Sequence, residues 1–132
     1  MGKTDYNSLN KVMLIGFVSS EIKTGEMKDG GRMWAGFQLA TLELFYARGK
    51  SKPYIEYHNI VAWGNNSKIA RKFLKKNMRV SIEGKLRRKI WHKDGERKER
   101  VEIEAEHITF MTKDSPLKPE KEEITKLEDD PF

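Results

Sequence analysis

Residues 54–93 read YIEYHNIVAWGNNSKIARKFLKKNMRVSIEGKLRRKIWHK, and the hydrophobic period changes twice within them. Residues 54–64 are rich in β-branched and aromatic side chains, the composition of a strand. Over 65–77 the apolar residues Ile69, Ala70, Phe73 and Leu74 fall at i, i+1, i+4 and i+5, one face of a helix, while Lys68, Arg71, Lys72, Lys75 and Lys76 fall elsewhere. Asn66 or Ser67 can cap its start, and Asn77 suits a left-handed stop after a last turn rich in cations. From 78 to 93 period two returns. Val80, Ile82, Gly84 and Leu86 share one face, with Lys85, Arg87, Lys89 and Trp91 on the other. A strand, a short helix and a second strand follow one another without a break.

Upstream, KVMLIGFV (11–18) is a short apolar strand, and MWAGFQLATLELFYA (33–47) is a longer one after the glycine turn KDGGR (28–32). RGKSKP (48–53) reads as a polar, basic loop. Downstream, DGER (94–97) is a hairpin signal, and KERVEIEAEHITFM (98–111) is a last strand. There Val101, Ile103 and Ala105 alternate with glutamates, and the phase slips to Ile108 and Phe110, which predicts a bulge near His107. Beyond 112, apolar patterning stops and Pro116 and Pro119 appear, as in a disordered tail. Five strands with one helix between the third and fourth is the order of the OB-fold, a five-stranded Greek-key barrel, so an all-β chain of that class is expected. The expected division is a barrel domain over 1–112 and a short disordered linker and acidic tip over 113–132.

The composition narrows the function. The chain has 132 residues, one domain by length, and no cysteine, so disulfides and thiolate chemistry are excluded. No apolar run approaches the ~18 residues of a membrane span, and no signal-peptide layout opens the chain, so a cytoplasmic address is expected. Charge is uneven. Residues 1–113 hold 23 Lys+Arg and 13 Asp+Glu, a net of +10, and residues 114–132 hold 3 Lys and 7 acids, a net of −4, together the +6 of the whole chain. A basic body attracts a polyanion.

The residue types on the strands say which polyanion. If His58, Ile60 and Ala62 face a barrel interior, Tyr57, Asn59, Val61 and Trp63 face out. Lys85, Arg87, Lys89 and Trp91 face out on the strand after the helix. Cations neutralise phosphates, and exposed rings stack on unpaired bases at roughly 1–3 kcal/mol per base. A duplex hides its base faces, so this mixture favours a single strand. Trp34 reads as a core or interface residue. Catalysis finds no support: His58, His92 and His107 are far apart in sequence, no carboxylates have metal-ligand spacing, and GEMKDGGR (25–32) is a turn rather than a phosphate loop. No enzyme activity, metal or cofactor is expected.

The motifs NKVMLIG (10–16), FQLAT (37–41), EYHNIVAWG (56–64), FLKK (73–76), VSIEGKLRRKIW (80–91) and the terminal DDPF (129–132) together resemble the bacterial single-stranded DNA-binding proteins. The resemblance implies a homotetramer of OB domains that binds single-stranded DNA with little sequence preference, in replication, recombination and repair. It aligns the family's base-stacking aromatics with Phe45, Tyr57, Trp63 and Trp91. Lys85, Arg87, Lys89, Arg48 and Lys50 are the expected phosphate cations, and Asn59 stands where the family often has another. The tip, Glu128, Asp129, Asp130, Pro131 and Phe132, is expected to recruit DNA-processing partner proteins and to compete with DNA for the basic body. The linker over 113–126 is shorter than in many members, and the tip lacks the aliphatic residue that usually precedes its proline. Two other functions fit the same pattern: an OB-fold replication adaptor acting through protein contacts, and an RNA-binding OB domain.

Overall fold

A computed structural model of the chain describes residues 7–28 and 30–111. The expected linker and tip therefore lie outside the described residues. Six strands and one helix follow in the order β1 (Val12–Val18), β2 (Lys23–Glu26), β3 (Met33–Ala47), β4 (Lys50–Trp63), α1 (Asn65–Phe73), β5 (Arg79–Lys93) and β6 (Glu96–Phe110). The sheet order is β1-β5-β6-β4-β3-β2, and β1 also pairs with β3. That last pairing closes β1, β5, β6, β4 and β3 into a five-strand barrel, the expected OB-fold, with β2 added outside it along β3.

The interior is filled from every barrel strand. Val18, Phe37, Leu39, Ile60, Val80, Ile82 and Ile103 are buried, and Ala70 and Leu74 close one end from the helix segment. Each large side chain among them is worth about 1.5–3 kcal/mol in water-excluded area. The seam between β1 and β3 is short, only Phe17↔Ala40 and Val18↔Leu39. Gly16 makes it possible, because a Cβ at this position would overlap the Ala40 carbonyl oxygen.

Several sequence expectations need correction. RGKSKP is not a loop: Arg48 and Gly49, at φ 53° and 75°, form a two-residue turn, and β4 begins at Lys50 opposite Ala47. Such turns match strand twist and require positive φ at both central positions. Asp94 and Gly95, at φ 52° and 79°, do the same between β5 and β6. The strand β2 carries no apolar alternation, and as an outer edge it needs none. The helix ends at Phe73, not Asn77. Asn77 does take φ 78°, but in the turn where its N–H donates to Val18 O at 2.7 Å. Neither Asn66 nor Ser67 caps the helix: Gly64 stands at that position without a side-chain cap bond. Ser67 Oγ donates back to Gly64 O, and Asn66 Nδ2 donates to the carbonyls of Ala105 and Glu106.

Those two carbonyls mark the bulge. The β5–β6 register passes from Glu83↔His107 to Gly84↔Ala105, so Glu106 is the extra residue, one place from where the phase slip put it. Leu86 and Val101, expected inside, are 50% and 56% exposed. The barrel ends near Gly84 and Ile103, and the ribbons run on beyond it with both faces in water.

Replacing Gly16 with alanine should force β1 away from β3 at the closing seam. Overpacking of this kind costs roughly 1–3 kcal/mol. Urea unfolding should show a lowered midpoint of that size, while alanine at Gly49, whose surroundings are open, should cost only the turn strain.

Candidate nucleic-acid interface

Two long hairpins leave the barrel, β3–β4 and β5–β6. Between the barrel end of β3–β4 and the β5–β6 hairpin is a groove of about 770 Å³. One wall is the outward face of β3–β4. Register pairs Trp34 with Trp63, Gly36 with Val61, and Gln38 with Asn59, so these six share that face. The other wall is the face of β5–β6 that carries Arg87 and Lys89, with Arg100, Glu102 and Glu104 opposite them. Rings stand on one side and cations on the other.

The expected site residues divide into three groups. Trp63, Arg87 and Lys89 line the groove itself. Tyr57 and Trp91 continue from it along the same two faces and are 37% and 36% exposed. Lys85 shares the face of Arg87 but lies nearer the bulge, outside the groove. Arg48 and Lys50 are at the far tip of the β3–β4 hairpin. Phe45 is separated from Tyr57 and Trp63: it pairs with Lys52, on the opposite face of the ribbon, and packs edge-on to Tyr54 with ring centroids 5.8 Å apart.

The cations differ in their present partners. Arg87 Nε lies 3.3 Å from Glu104 Oε1, and Lys85 Nζ lies 3.6 Å from Glu106 Oε2. Arg100 pairs with Glu102 at 2.9 Å, and its guanidinium also lies 5.6 Å from the Trp91 ring centre. Among the described residues Lys89 has no carboxylate partner; its register neighbour is Arg100. Half-exposed ion pairs are worth about 0–1 kcal/mol, so a phosphate can displace a glutamate at little cost. Asn59, which stands where the resembled family often has a cation, accepts a hydrogen bond from Gln38 Nε2 at 3.4 Å.

Three residues escaped the sequence reading. Arg100 was hidden in a strand of alternating glutamates. Arg32 lies over the Trp63 ring, 4.4 Å from its centre. Trp34, expected as a core or interface residue, faces the groove beside Trp63. The signal for Trp34 was available: counting back from a two-residue turn at Arg48-Gly49 sets it opposite Trp63.

The model of the single-strand binding protein family matches residues 9–111. The chain belongs to this family. Single-stranded DNA-binding protein 1 of Chlorobaculum tepidum is 40% identical over 98 residues, covering 72% of this chain and 60% of that protein. A solved structure of the Plasmodium falciparum family member, in complex with single-stranded DNA, superposes with a TM-score of 0.72 at 32% identity. It covers 83% of this chain and 100% of that one. A deletion mutant of the single-stranded DNA binding protein from Thermus aquaticus superposes at 0.69 with 28% identity, over 79% of this chain and 51% of that one. The chain thus spans 60% of the curated relative and about half of the Thermus chain.

Nothing in the described part of this family member is arranged for metal chemistry: no group of three or more His, Cys, Asp or Glu could hold an ion among the described residues. Nor is any described helix long and apolar enough to cross a membrane. The side chain with a chemical bias is His58. Burial on the inner side of β4 lowers its pKa below the usual 6.5, against a smaller opposing pull from Glu56. Its Nε2 lies 3.0 Å from Thr41 Oγ1.

The unfolded chain therefore binds a proton at His58 before the folded one does, and the stability owed to neutral His58 is complete above pH 6.5 and lost as pH falls through its lowered folded value. Between pH 7.5 and 5.5 the wild type should lose more thermal stability than His58→Gln, which keeps a partner for Thr41. Equal losses would contradict the assignment.

Proposed function

We propose that this protein binds single-stranded DNA without strong sequence preference. The observation that carries the proposal is the groove itself, with indoles along one wall and cations along the other. Phosphates meet Lys89, Arg87 and Lys85 on the β5–β6 face, and Arg48 and Lys50 at the hairpin tip. Bases stack on Trp63, Tyr57 and Trp91. Phe45, on the reverse face of β3–β4, serves the same strand only if the strand crosses the hairpin edge, as it would in wrapping an assembly.

Wrapping is the further part of the proposal: a homotetramer of barrel domains, residues 1–112, with the strand running from one protomer's hairpins to the next. Met13, Ile15, Leu42 and Leu44 are exposed apolar residues on β1 and β3, and subunit contacts would cover them. Residues 113–132 form a linker and an acidic tip, Glu128 to Phe132, that recruits DNA-processing proteins. The setting is replication, recombination and repair in the cytoplasm. The chemistry needs no cofactor and no catalytic residue.

Binding of an oligo-dT should quench tryptophan fluorescence and weaken steeply with salt, with a duplex of equal length bound far less tightly. Equal affinity for duplex and single strand would overturn the proposal. Within that assay, Lys89→Gln should lower the salt slope by about 0.7, the value for one phosphate of a single strand. Arg87→Gln should lower it less, because Glu104 already holds that guanidinium in the free protein.

A further inference from the structure

We infer that Trp34 is a further base-stacking platform of the groove, paired with Trp63 and served by Arg32 as a phosphate cation. The inference rests on the reading of the groove as a single-strand site and adds a subsite at its β2 end. Three observations carry it.

The first is placement. Trp34 stands directly across the β3–β4 ladder from Trp63, on the same face, and both line the groove. Neighbouring strands lie about 4.8 Å apart, so the two tryptophans spring from adjacent backbone positions of one face. The residues that fill the interior from this part of β3 are Ala35 and Phe37, at 0% and 5% exposure, on the other face. Trp34 is only partly buried and does no work in the core.

The second is the seat. Gly25 of β2 is the register partner of Trp34 on its other side, and the indole lies over it: a Cβ on Gly25 would come 2.5 Å from Trp34 Cζ2 and 2.7 Å from Nε1. Gly36, two residues along β3, is bare as well, and a Cβ there would sit 3.6 Å from Cζ3. The indole packs against the backbone at these two glycines and at the same time lines the groove. The strand β2 has no buried face of its own. Holding this indole and closing the turn to Arg32 is what it does.

The third is charge. Met27 N–H donates to Arg32 O at 2.8 Å, which holds the turn whose Arg32 guanidinium lies 4.4 Å over the Trp63 ring. A phosphate joining bases stacked on Trp34 and Trp63 is within reach of that cation. Lys23, which also lines the groove, adds a second positive charge at this end.

The test compares the full chain with Trp34→Leu, Trp34→Phe and Trp63→Leu. Each is titrated with oligo-dT and with an abasic oligomer of the same length, with thermal unfolding measured alongside. Trp34→Leu should bind oligo-dT about five-fold more weakly or worse, the low end of one stacked base. Its affinity for the abasic chain and its salt slope should not change, and Trp34→Phe should recover most of the loss. If Trp63→Leu weakens binding while Trp34→Leu matches the wild type, this inference is wrong and the groove assignment stands. If the wild type itself does not prefer oligo-dT to duplex, the groove assignment fails first. Photo-crosslinking of 5-iododeoxyuridine oligomers to the unmodified protein covers the case in which a variant does not fold. Crosslinks on the peptide that holds Trp34 support the subsite, and crosslinks confined to other rings overturn it.

Discussion

Two residue pairs hold the barrel shut. Phe17↔Ala40 and Val18↔Leu39 are the whole ladder pairing between β1 and β3, and without it the sheet is an open ribbon. The overhanging ribbons follow from how short that seam is. The strand β1 has 7 residues, while β3, β5 and β6 have 15 each and β4 has 14. The barrel must end where β1 does. Beyond that level each long strand has one partner only, so β3 with β4 and β5 with β6 continue as two-stranded ribbons. The β5–β6 ribbon reaches past the barrel and faces the barrel end of β3–β4, and the groove lies between them. Arg87, Lys89 and Arg100 are exposed because the closing strand is brief, while Trp34 and Trp63 stand half-buried on the outer face of the barrel.

Where closure dominates, the sequence was readable. Buried and exposed positions alternate cleanly through Ile60, Ala62, Val80 and Ile82, and of the expected helix face Ala70 and Leu74 (just past the helix end) meet the core while Phe73 is 49% exposed. Alternation on the overhanging ribbons has no such consequence. Leu86 and Val101 keep the phase of buried residues yet are half exposed, since the phase names a face and not what covers it. The loop assigned to 48–53 failed for a related reason. Lys50, Ser51 and Lys52 are polar because both faces of that ribbon are wet, so their polarity does not distinguish strand from loop. Only the two-residue turn sets the register that pairs Trp34 with Trp63. The short β2 left no trace, because an edge strand lying outside the barrel needs no periodic pattern.

The net charge of the barrel region, +10 before the tail, is a poor guide to where a polyanion would bind. On the groove face of β5–β6 the cations of one strand meet the glutamates of the other: Lys85 and Arg87 with Glu106 and Glu104, and Arg100 with its own neighbour Glu102. Most cations of this face are paired in the free state, while Lys89 leaves it net positive. Such pairs keep long side chains extended along the ribbon, and each contributes about 0–1 kcal/mol at this exposure, so none obstructs an exchange of carboxylate for phosphate.

Paired charge has a consequence for selectivity. Duplex and single strand offer the same phosphates, and a cationic surface alone draws both, the duplex with its higher charge density more strongly. Discrimination must come from groups that a duplex cannot satisfy. A ring worth roughly 1–3 kcal/mol for an unpaired base gains nothing from a paired one, whose faces are already stacked. On the proposed reading, interleaved glutamates mute the electrostatic contribution while the rings of the groove remain for a base, and the preference would shift toward the strand whose bases are free. The glutamates of β6 then act as part of the selectivity: replacing Glu102 and Glu104 with glutamine should raise affinity for duplex more than for oligo-dT, narrowing the ratio between them.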